Sequence, residues 1–567
     1  MAAPYKHSIP FDANDLLSNH LGSLVDECVK SHSTKKAFTC ILPTGHKQTM
    51  TFEELGRYSD AVAAYLREDL VLKDGDVVAV QSPNTLAYPV VAFGILKAGL
   101  TVTNVNPLYT TDETNHQLKD SGAKVWFVID VFGDRVAQSV MGTSVERVYK
   151  LSLLDFFPTA QRLLLSAAMK YVKKAIPAFT GELAGTTQTV IAAGLRHLKT
   201  VGSTENYRSS QSVTDVAIYQ YTGGTTGRSK GAALTHYNVV GNLSQADKRD
   251  DSLDHQDDDV MLLILPLYHV YALAVGALAS MRNGVHVVMM PAPRPLVNLK
   301  HAFDNFDISI LPGINTLYMG LMQESWFLEN PPTSLRACYS GAAPLQPATV
   351  DAWEKLTGQQ IYEGYGMTEC TCVVTSMPLN KPPKRGTCGT PIPGTELRIV
   401  DAHGQDVDTG ATGEVWVRGP QVMQGYLNSP EATEQSFTDG WLKTGDVGKM
   451  DDEGYLTIVD RIKDMIIVSG FNVFPVDIED VLTKNPGIAE AAVVGAPEPS
   501  TGEKVVAFVV LKDALLDEKK VIAYCRDHLT SYKVPKTICF VDELPKSPVG
   551  KVLRRELRDR AVEAAAS

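Results

Sequence analysis

The run Asp76-Val77-Val78-Ala79-Val80, an apolar stretch that starts after Asn84 and ends at Gly99, and then Leu100-Thr101-Val102-Thr103-Asn104-Val105 decide the fold class. The first run is short, valine-rich and bounded by turn residues, so it predicts a buried strand. The middle stretch is long enough for a helix, with Asn84 as its N-cap and Gly99 as its stop. The third run resumes a strand, with apolar residues less regularly spaced than in the first. Similar alternation recurs at 124–130, 213–221, 260–265 and 285–290. Strands and helices that alternate in this way predict α/β organisation with at least one largely parallel sheet.

Residues 385–459 follow another pattern. Leu397-Arg398-Ile399-Val400 and Gly413-Glu414-Val415-Trp416-Val417 are separated by Gly, Asp and Pro turns, which predicts an antiparallel β subdomain. After Asp460-Arg461 the chain becomes a small α+β tail, with helices expected at 476–484 and 518–529 and strands at 491–495 and 505–511. The boundary therefore falls near 460–463, giving an N-terminal domain of 1–460 and a C-terminal domain of 461–567.

A chain of 567 residues is longer than one core usually organises. Its 44% hydrophobic and 21% charged residues are ordinary for a globular protein. Lys and Arg number 53 against 65 Asp and Glu, a net charge of −12, which argues against nucleic acid as a partner. No charged-then-apolar leader opens the chain and no run is long enough to span a bilayer. The eight cysteines are sparse, and the close pair Cys370 and Cys372 has no second pair at zinc-site spacing. A reduced, cytoplasmic protein is expected. One segment stands apart. Residues 162–176 set Leu165, Met169, Val172 and Ile176 on one helical stripe with Lys170, Lys173 and Lys174 on the other side. Such a helix either packs on the protein's own core or lies peripherally on the inner face of a membrane.

The strongest local signal is Tyr221-Thr222-Gly223-Gly224-Thr225-Thr226-Gly227-Arg228-Ser229-Lys230-Gly231. Glycines let backbone N–H groups approach phosphates, threonine hydroxyls add donors, and Lys230 adds charge. The Gly-Lys-Ser/Thr order of a Walker A loop is absent. This loop resembles the signature of the adenylate-forming superfamily, although many members carry Ser at the position of Gly223 and Pro at that of Ser229. Further segments of that superfamily follow in order: Tyr362-Glu363-Gly364-Tyr365-Gly366-Met367-Thr368-Glu369, Gly440-Trp441-Leu442-Lys443-Thr444-Gly445-Asp446, Ser469-Gly470-Phe471-Asn472-Val473-Phe474-Pro475, and Leu544-Pro545-Lys546-Ser547-Pro548-Val549-Gly550-Lys551. The run from Asp439 through Asp460-Arg461-Ile462-Lys463-Asp464-Met465 resembles bacterial long-chain fatty acyl-CoA synthetases in particular.

The resemblance implies a fold of two α/β sheets plus a distorted β-barrel subdomain, followed by a small mobile α+β domain. It implies an AMP-forming ligase that uses ATP, Mg²⁺ and coenzyme A, with the segment Thr222, Gly223, Gly224, Thr225, Thr226, Gly227 and Lys230 on the phosphates. Gly341, Ala342, Gly364, Tyr365, Gly366 and Thr368 would bind the nucleotide, Tyr365 by stacking on adenine and Thr368 at the α-phosphate. Glu369 would hold the metal, and Asp446 with Arg461 the ribose. Lys551 would act in adenylation, Lys463 as the hinge, and Ser469, Gly470 and Phe471 in the CoA step.

Leu265-Pro266-Leu267-Tyr268-His269-Val270-Tyr271 resembles a segment in which His269 sits beside the bound carboxylate. The small, apolar residues of 272–281, Gly313-Ile314 and Gly341-Ala342-Ala343 suit the wall of an apolar tunnel, and these stretches carry no charge. A medium- or long-chain fatty acid is expected. An aryl or terpenoid acid stays open, as do a carrier-protein thiol in place of CoA, a catalytically dead binding protein, and a homodimer.

Overall fold

The computed structural model describes residues 4–6, 9–222, 228–249, 253–469, 471–498, 501–512, 515–547 and 550–566, the last helix with side chains to 562. Four sheets organise them. The first has eight strands, with Val77–Gln81 at its centre paired in parallel to Thr101–Asn104 on one side and Val125–Ile129 on the other. Every residue of Val77–Gln81 is buried, as a central parallel strand covered on both faces requires. The crossover helix Ala87–Lys97 is buried on all sides too. At the other edge, the hairpin Val216–Thr222 with Lys230–Thr235 and the short strand Gly425–Tyr426 are antiparallel.

Asn84 does not cap that helix; its N-cap is Leu86, with no side-chain cap bond. Instead the Asn84 amide donates to the carbonyls of Leu263 (3.2 Å) and Leu265 (3.0 Å) and accepts from the Leu267 N–H (2.8 Å). Three buried backbone groups at and beyond the end of strand Val260–Leu263 need partners, and their demand outweighs a helix cap. The side chain thus ties the first sheet to the segment that leads to His269.

The second sheet has nine strands, and its centre places Ile361–Tyr365, Ala337–Ser340, Ile310–Gly313 and Val260–Leu263 side by side and parallel. Each continues, beyond its carboxyl end, into a segment that the sequence singles out: Gly366 to Glu369, Gly341-Ala342, Ile314, and Leu265 to His269. Ligand crevices of open α/β sheets form at this edge.

The third sheet, six-stranded, is antiparallel and includes Glu396–Val400, Gly413–Arg418, Trp441–Met450 and Leu456–Arg461. The fourth, five-stranded, lies in the tail and contains Ile488–Glu498 and Gly502–Leu511. The large core cluster contains no residue beyond Ile458, whereas two separate clusters of the tail begin at Ile466 and Ala492. Strand Thr537–Phe540 and helix Arg554–Ala566 are additions to the expected tail.

Residues 162–176 form helix Thr159–Ala167 followed by a wider π turn, Ala168–Val172. Leu165 and Met169 pack on the main core, but Val172 turns outward, so the expected single stripe is split. The π turn changes the angular step between residues and carries Val172 off the inward face. No described helix is long and apolar enough to cross a membrane.

Candidate active site

Thr222 and Lys230 are cross-strand partners at the mouth of the hairpin. Gly223, Gly224, Thr225, Thr226 and Gly227 lie outside the described residues. The base of the loop is anchored on both sides. The Tyr221 hydroxyl donates to Asp120 (2.6 Å), and His116 Nε2 donates to the Ser229 carbonyl (3.0 Å). Lys230 Nζ stands 5.3 Å from the Tyr426 ring centre, and the Tyr426 hydroxyl donates to Glu369 Oε1 at 2.7 Å. Cation, ring and carboxylate therefore form one chain, in which the ring face attracts the ammonium.

A second cluster joins the nine-stranded sheet to the antiparallel six-stranded one. Asp446 and Arg461 face each other in register on neighbouring strands, with Arg461 Nε 2.8 Å from Asp446 Oδ1. The Tyr365 hydroxyl donates to Asp446 Oδ2 at 2.7 Å. Both oxygens of a buried carboxylate are thus engaged. Gly366 follows Tyr365, and a Cβ there would lie 1.5 Å from the Cys372 carbonyl oxygen. No other residue permits this close return of the chain, which sets Thr368 and Glu369 behind Tyr365.

Lys551 reaches the same place from the tail. Its N–H donates to Ser547 Oγ (3.1 Å), while the Ser547 N–H donates to the Lys551 carbonyl (2.7 Å), so the residue sits on a closed turn. Gly550 has φ +80°, and a Cβ on it would lie 2.3 Å from Ile314 Cδ1 and 2.8 Å from Thr316 Oγ1. That turn therefore seats directly on the segment after strand Ile310–Gly313. Burial, then the nearby Arg461 guanidinium, push the Lys551 ammonium down to about 8. Burial, then Lys551, push His269 down to about 4, so its ring is neutral at pH 7. The Tyr271 N–H donates to His269 Nδ1 at 3.4 Å, which leaves Nε2 to carry the proton.

Lys463 lies beside this group, its ammonium lowered by burial and by Arg461. Its carbonyl accepts from Arg558 Nη2 at 2.8 Å, and Arg558 also pairs with Asp464 at 2.8 Å. Phe471 is placed differently. It is exposed and stacks on Tyr532, 4.7 Å between ring centres, within the tail. Ser469, at φ +51°, precedes Gly470, which lies outside the described residues. Lys551, Asp446, Arg461, Tyr365 and His269 are thus brought together, and Phe471 is held by another partner.

A cavity of about 280 Å³ runs from His269, Gly341 and Thr368 along the helix Ala272–Ala279 to the ion pair of Arg282 with Asp247, 3.6 Å apart. Val270, Val275 and Met377 contribute apolar wall. Polar groups do enter it, from outside the stretches read as its wall: Arg249, His255 and Glu363. Burial pushes the Glu363 carboxyl up to about 8, while the Leu345 N–H it accepts opposes this, so it is neutral at pH 7. Ala342, also on the wall, holds φ +64°, a strained conformation for a residue with a Cβ.

Among the described residues no three His, Cys, Asp or Glu side chains gather as a metal cage. Glu369 nevertheless offers a hard oxygen donor whose Oε1 is fixed by Tyr426. The sequence reading passes over Tyr426, takes Asn84 only as a helix cap and gives Glu363 no role within its segment. Only the adjoining Gly425 marks Tyr426, and it reads as a turn.

The model of the AMP-binding enzyme family matches residues 25–427, and that of the AMP-binding enzyme C-terminal domain matches residues 477–551. A long-chain-fatty-acid–CoA ligase of Escherichia coli O157:H7 is 41% identical over 558 residues, covering 98% of this chain and 97% of that protein. The crystal structure of ATP-bound MatB from Rhodopseudomonas palustris superposes with a TM-score of 0.80 at 29% identity, over 96% of this chain and 99% of that one. The anthranilate CoA ligase AuaEII in complex with anthranoyl-AMP gives a TM-score of 0.83 at 25% identity, over 98% and 100%.

Proposed function

Because the chain belongs to the AMP-binding enzyme family, we propose that it is a long-chain fatty acid–CoA ligase, converting acid, ATP and CoA into acyl-CoA, AMP and pyrophosphate. The observation that carries this reading is the meeting of Lys551, Asp446 and Arg461 beside His269, which lines a largely apolar cavity. It is supported by identity along nearly the whole of a ligase of that name.

In the first half-reaction a carboxylate oxygen of the acid attacks the α-phosphorus of ATP and the bond to pyrophosphate breaks. His269, neutral and protonated on Nε2, orients the carboxylate without adding charge. Lys230, Thr368 and Lys551 face the oxygens on which charge accumulates, so catalysis rests on positioning and electrostatics. Tyr365 stacks on adenine, and Asp446 with Arg461 takes the ribose. Mg²⁺ suits a site of this kind, because that ion binds through one or two carboxylates plus substrate phosphates, here Glu369. When bound it neutralises phosphate charge.

In the second half-reaction the CoA thiolate attacks the acyl carbonyl carbon and AMP leaves. Residues 461–567 turn about Lys463 relative to 1–460, withdrawing Lys551 and admitting Ser469, Gly470 and Phe471. The enzyme works in the cytoplasm, where both cosubstrates are held. The test is acid-dependent AMP and acyl-CoA formation with Mg-ATP and CoA, over acids from acetate through palmitate to cinnamate. Rates that rise to a maximum at long-chain acids support the reading. A maximum at cinnamate, or adenylation without transfer to CoA, contradicts it.

A further inference from the structure

We propose, resting on the ligase reading, that the far end of the cavity takes the terminal hydroxyl of an ω-hydroxy long-chain acid, with Arg282 and Asp247 as its two partners. One face of the helical run after His269 lines the cavity along its length. Tyr271, Val275, Ala279 and Arg282 stand on that face at steps of three or four. The small side chains of Val275 and Ala279 leave the middle open and apolar. The thirteen positions from His269 to Arg282 cover roughly 15–20 Å, at or below the α-helical rise per residue, which is the reach of a long alkyl chain. An acid whose carboxylate lies at His269 therefore brings its other end to Arg282.

The polar groups at that end differ in how far they are engaged. Arg249 is buried, and its Nη1 donates to the Ser376 carbonyl (3.3 Å) and Oγ (3.1 Å). His255 Nδ1 lies 3.4 Å from the Asp259 carboxylate, which Arg336 also holds at 2.7 Å. Arg282 and Asp247 are looser. Arg282 Nη2 and Asp247 Oδ2 are 3.6 Å apart, beyond hydrogen-bond distance. Neither side chain makes a hydrogen bond among the described residues. A donor and an acceptor thus stand side by side at the end of an apolar passage. A hydroxyl satisfies both, because it donates one proton and accepts on its lone pairs. It gives its proton to Asp247 and accepts from Arg282. A methyl end satisfies neither, and a carboxylate accepts from Arg282 but meets Asp247 as a like charge.

The test compares kcat/KM of the full chain, with Mg-ATP and CoA, for 16-hydroxyhexadecanoate, hexadecanoate and hexadecanedioate. Each preparation is read as a ratio between acids, so a partly folded variant still reports. The expected ratio of hydroxyl-ended to methyl-ended acid is about ten or more. It falls to about one in Asp247→Leu and in Arg282→Met. The hydroxyl of 10-hydroxydecanoate stops in the apolar middle, so this acid is expected to be poorer than decanoate. Asp247→Asn removes the like charge and is expected to raise the ratio of dicarboxylic to methyl-ended acid about tenfold. Three results would overturn the proposal and leave the ligase reading standing. They are hexadecanoate turnover with a hydroxyl-to-methyl ratio of one or below, a ratio that Asp247→Leu leaves unchanged, and an equal hydroxyl advantage over decanoate. Turnover of none of these acids would overturn both.

Discussion

Burial, and then the Arg461 guanidinium already in the site, bring the Lys551 ammonium down to about 8. It is the cation that the proposed adenylation uses, so activity belongs to the pH range below that value. The kcat/KM for acid-dependent ATP–pyrophosphate exchange should fall as pH rises through about 8, and Lys551→Arg, slower overall, should lose that alkaline limb. The same limb in the Arg variant would assign it to another group. Removing the cation altogether is more severe. Lys551→Ala should lower adenylation by on the order of 10²–10³ and leave thioester formation from supplied acyl-AMP intact. Equal loss in both steps would refute that division. Tyr426→Phe keeps the ring beneath Lys230 but deletes the donor to Glu369. The Mg²⁺ concentration for half-maximal rate should then rise by about tenfold or more, read from a magnesium titration. Lys551, Asp446 and Glu369 each stand in a motif, which is why the sequence singles them out as candidates. Tyr426 is not singled out, because nothing local separates a tyrosine that braces a carboxylate from one in a turn.

At the scale of elements, the strands were legible where burial on both faces produced runs such as Val77-Val78-Ala79-Val80. The closing helix Arg554–Ala566 was not, because among its described side chains Leu557 and Ala561 are the buried apolar ones, amid many charges. The outward turn of Val172 could not be read either, since a π turn leaves no mark in hydrophobic spacing. Asn84 shows the same limit: its type suits a cap, but the unpaired groups near Leu265 decided its role. Asn84→Ala leaves two carbonyls and one N–H without this partner, at about 1 kcal/mol or more each. A lower urea midpoint together with slower adenylation is expected, and an unchanged midpoint would show that the tie contributes little. The proposed hinge belongs to this scale too. Lys463→Pro fixes φ and should cost thioester formation on the order of a hundredfold while adenylation changes little. Normal rates in both half-reactions would remove Lys463 from the hinge.

For the whole molecule, the main core reaches Ile458 and the separate clusters of the tail begin at Ile466 and Ala492, on either side of the change of sequence pattern near 460–463. The seating of one unit on the other was not legible, because it rests on Gly550 meeting Ile314 far away in sequence. What this seating brings together is Lys551 from the tail, the Asp446 carboxylate from the antiparallel sheet, and the carboxyl edge of a parallel sheet beside a largely apolar cavity. The account built on it holds that the acid attacks the α-phosphorus of ATP. The direct measurement is turnover of palmitate labelled with ¹⁸O in both carboxylate oxygens, followed by mass spectrometry of the products. One ¹⁸O in AMP and none in pyrophosphate is the predicted result. Unlabelled AMP, or label in a released phosphate, would contradict it.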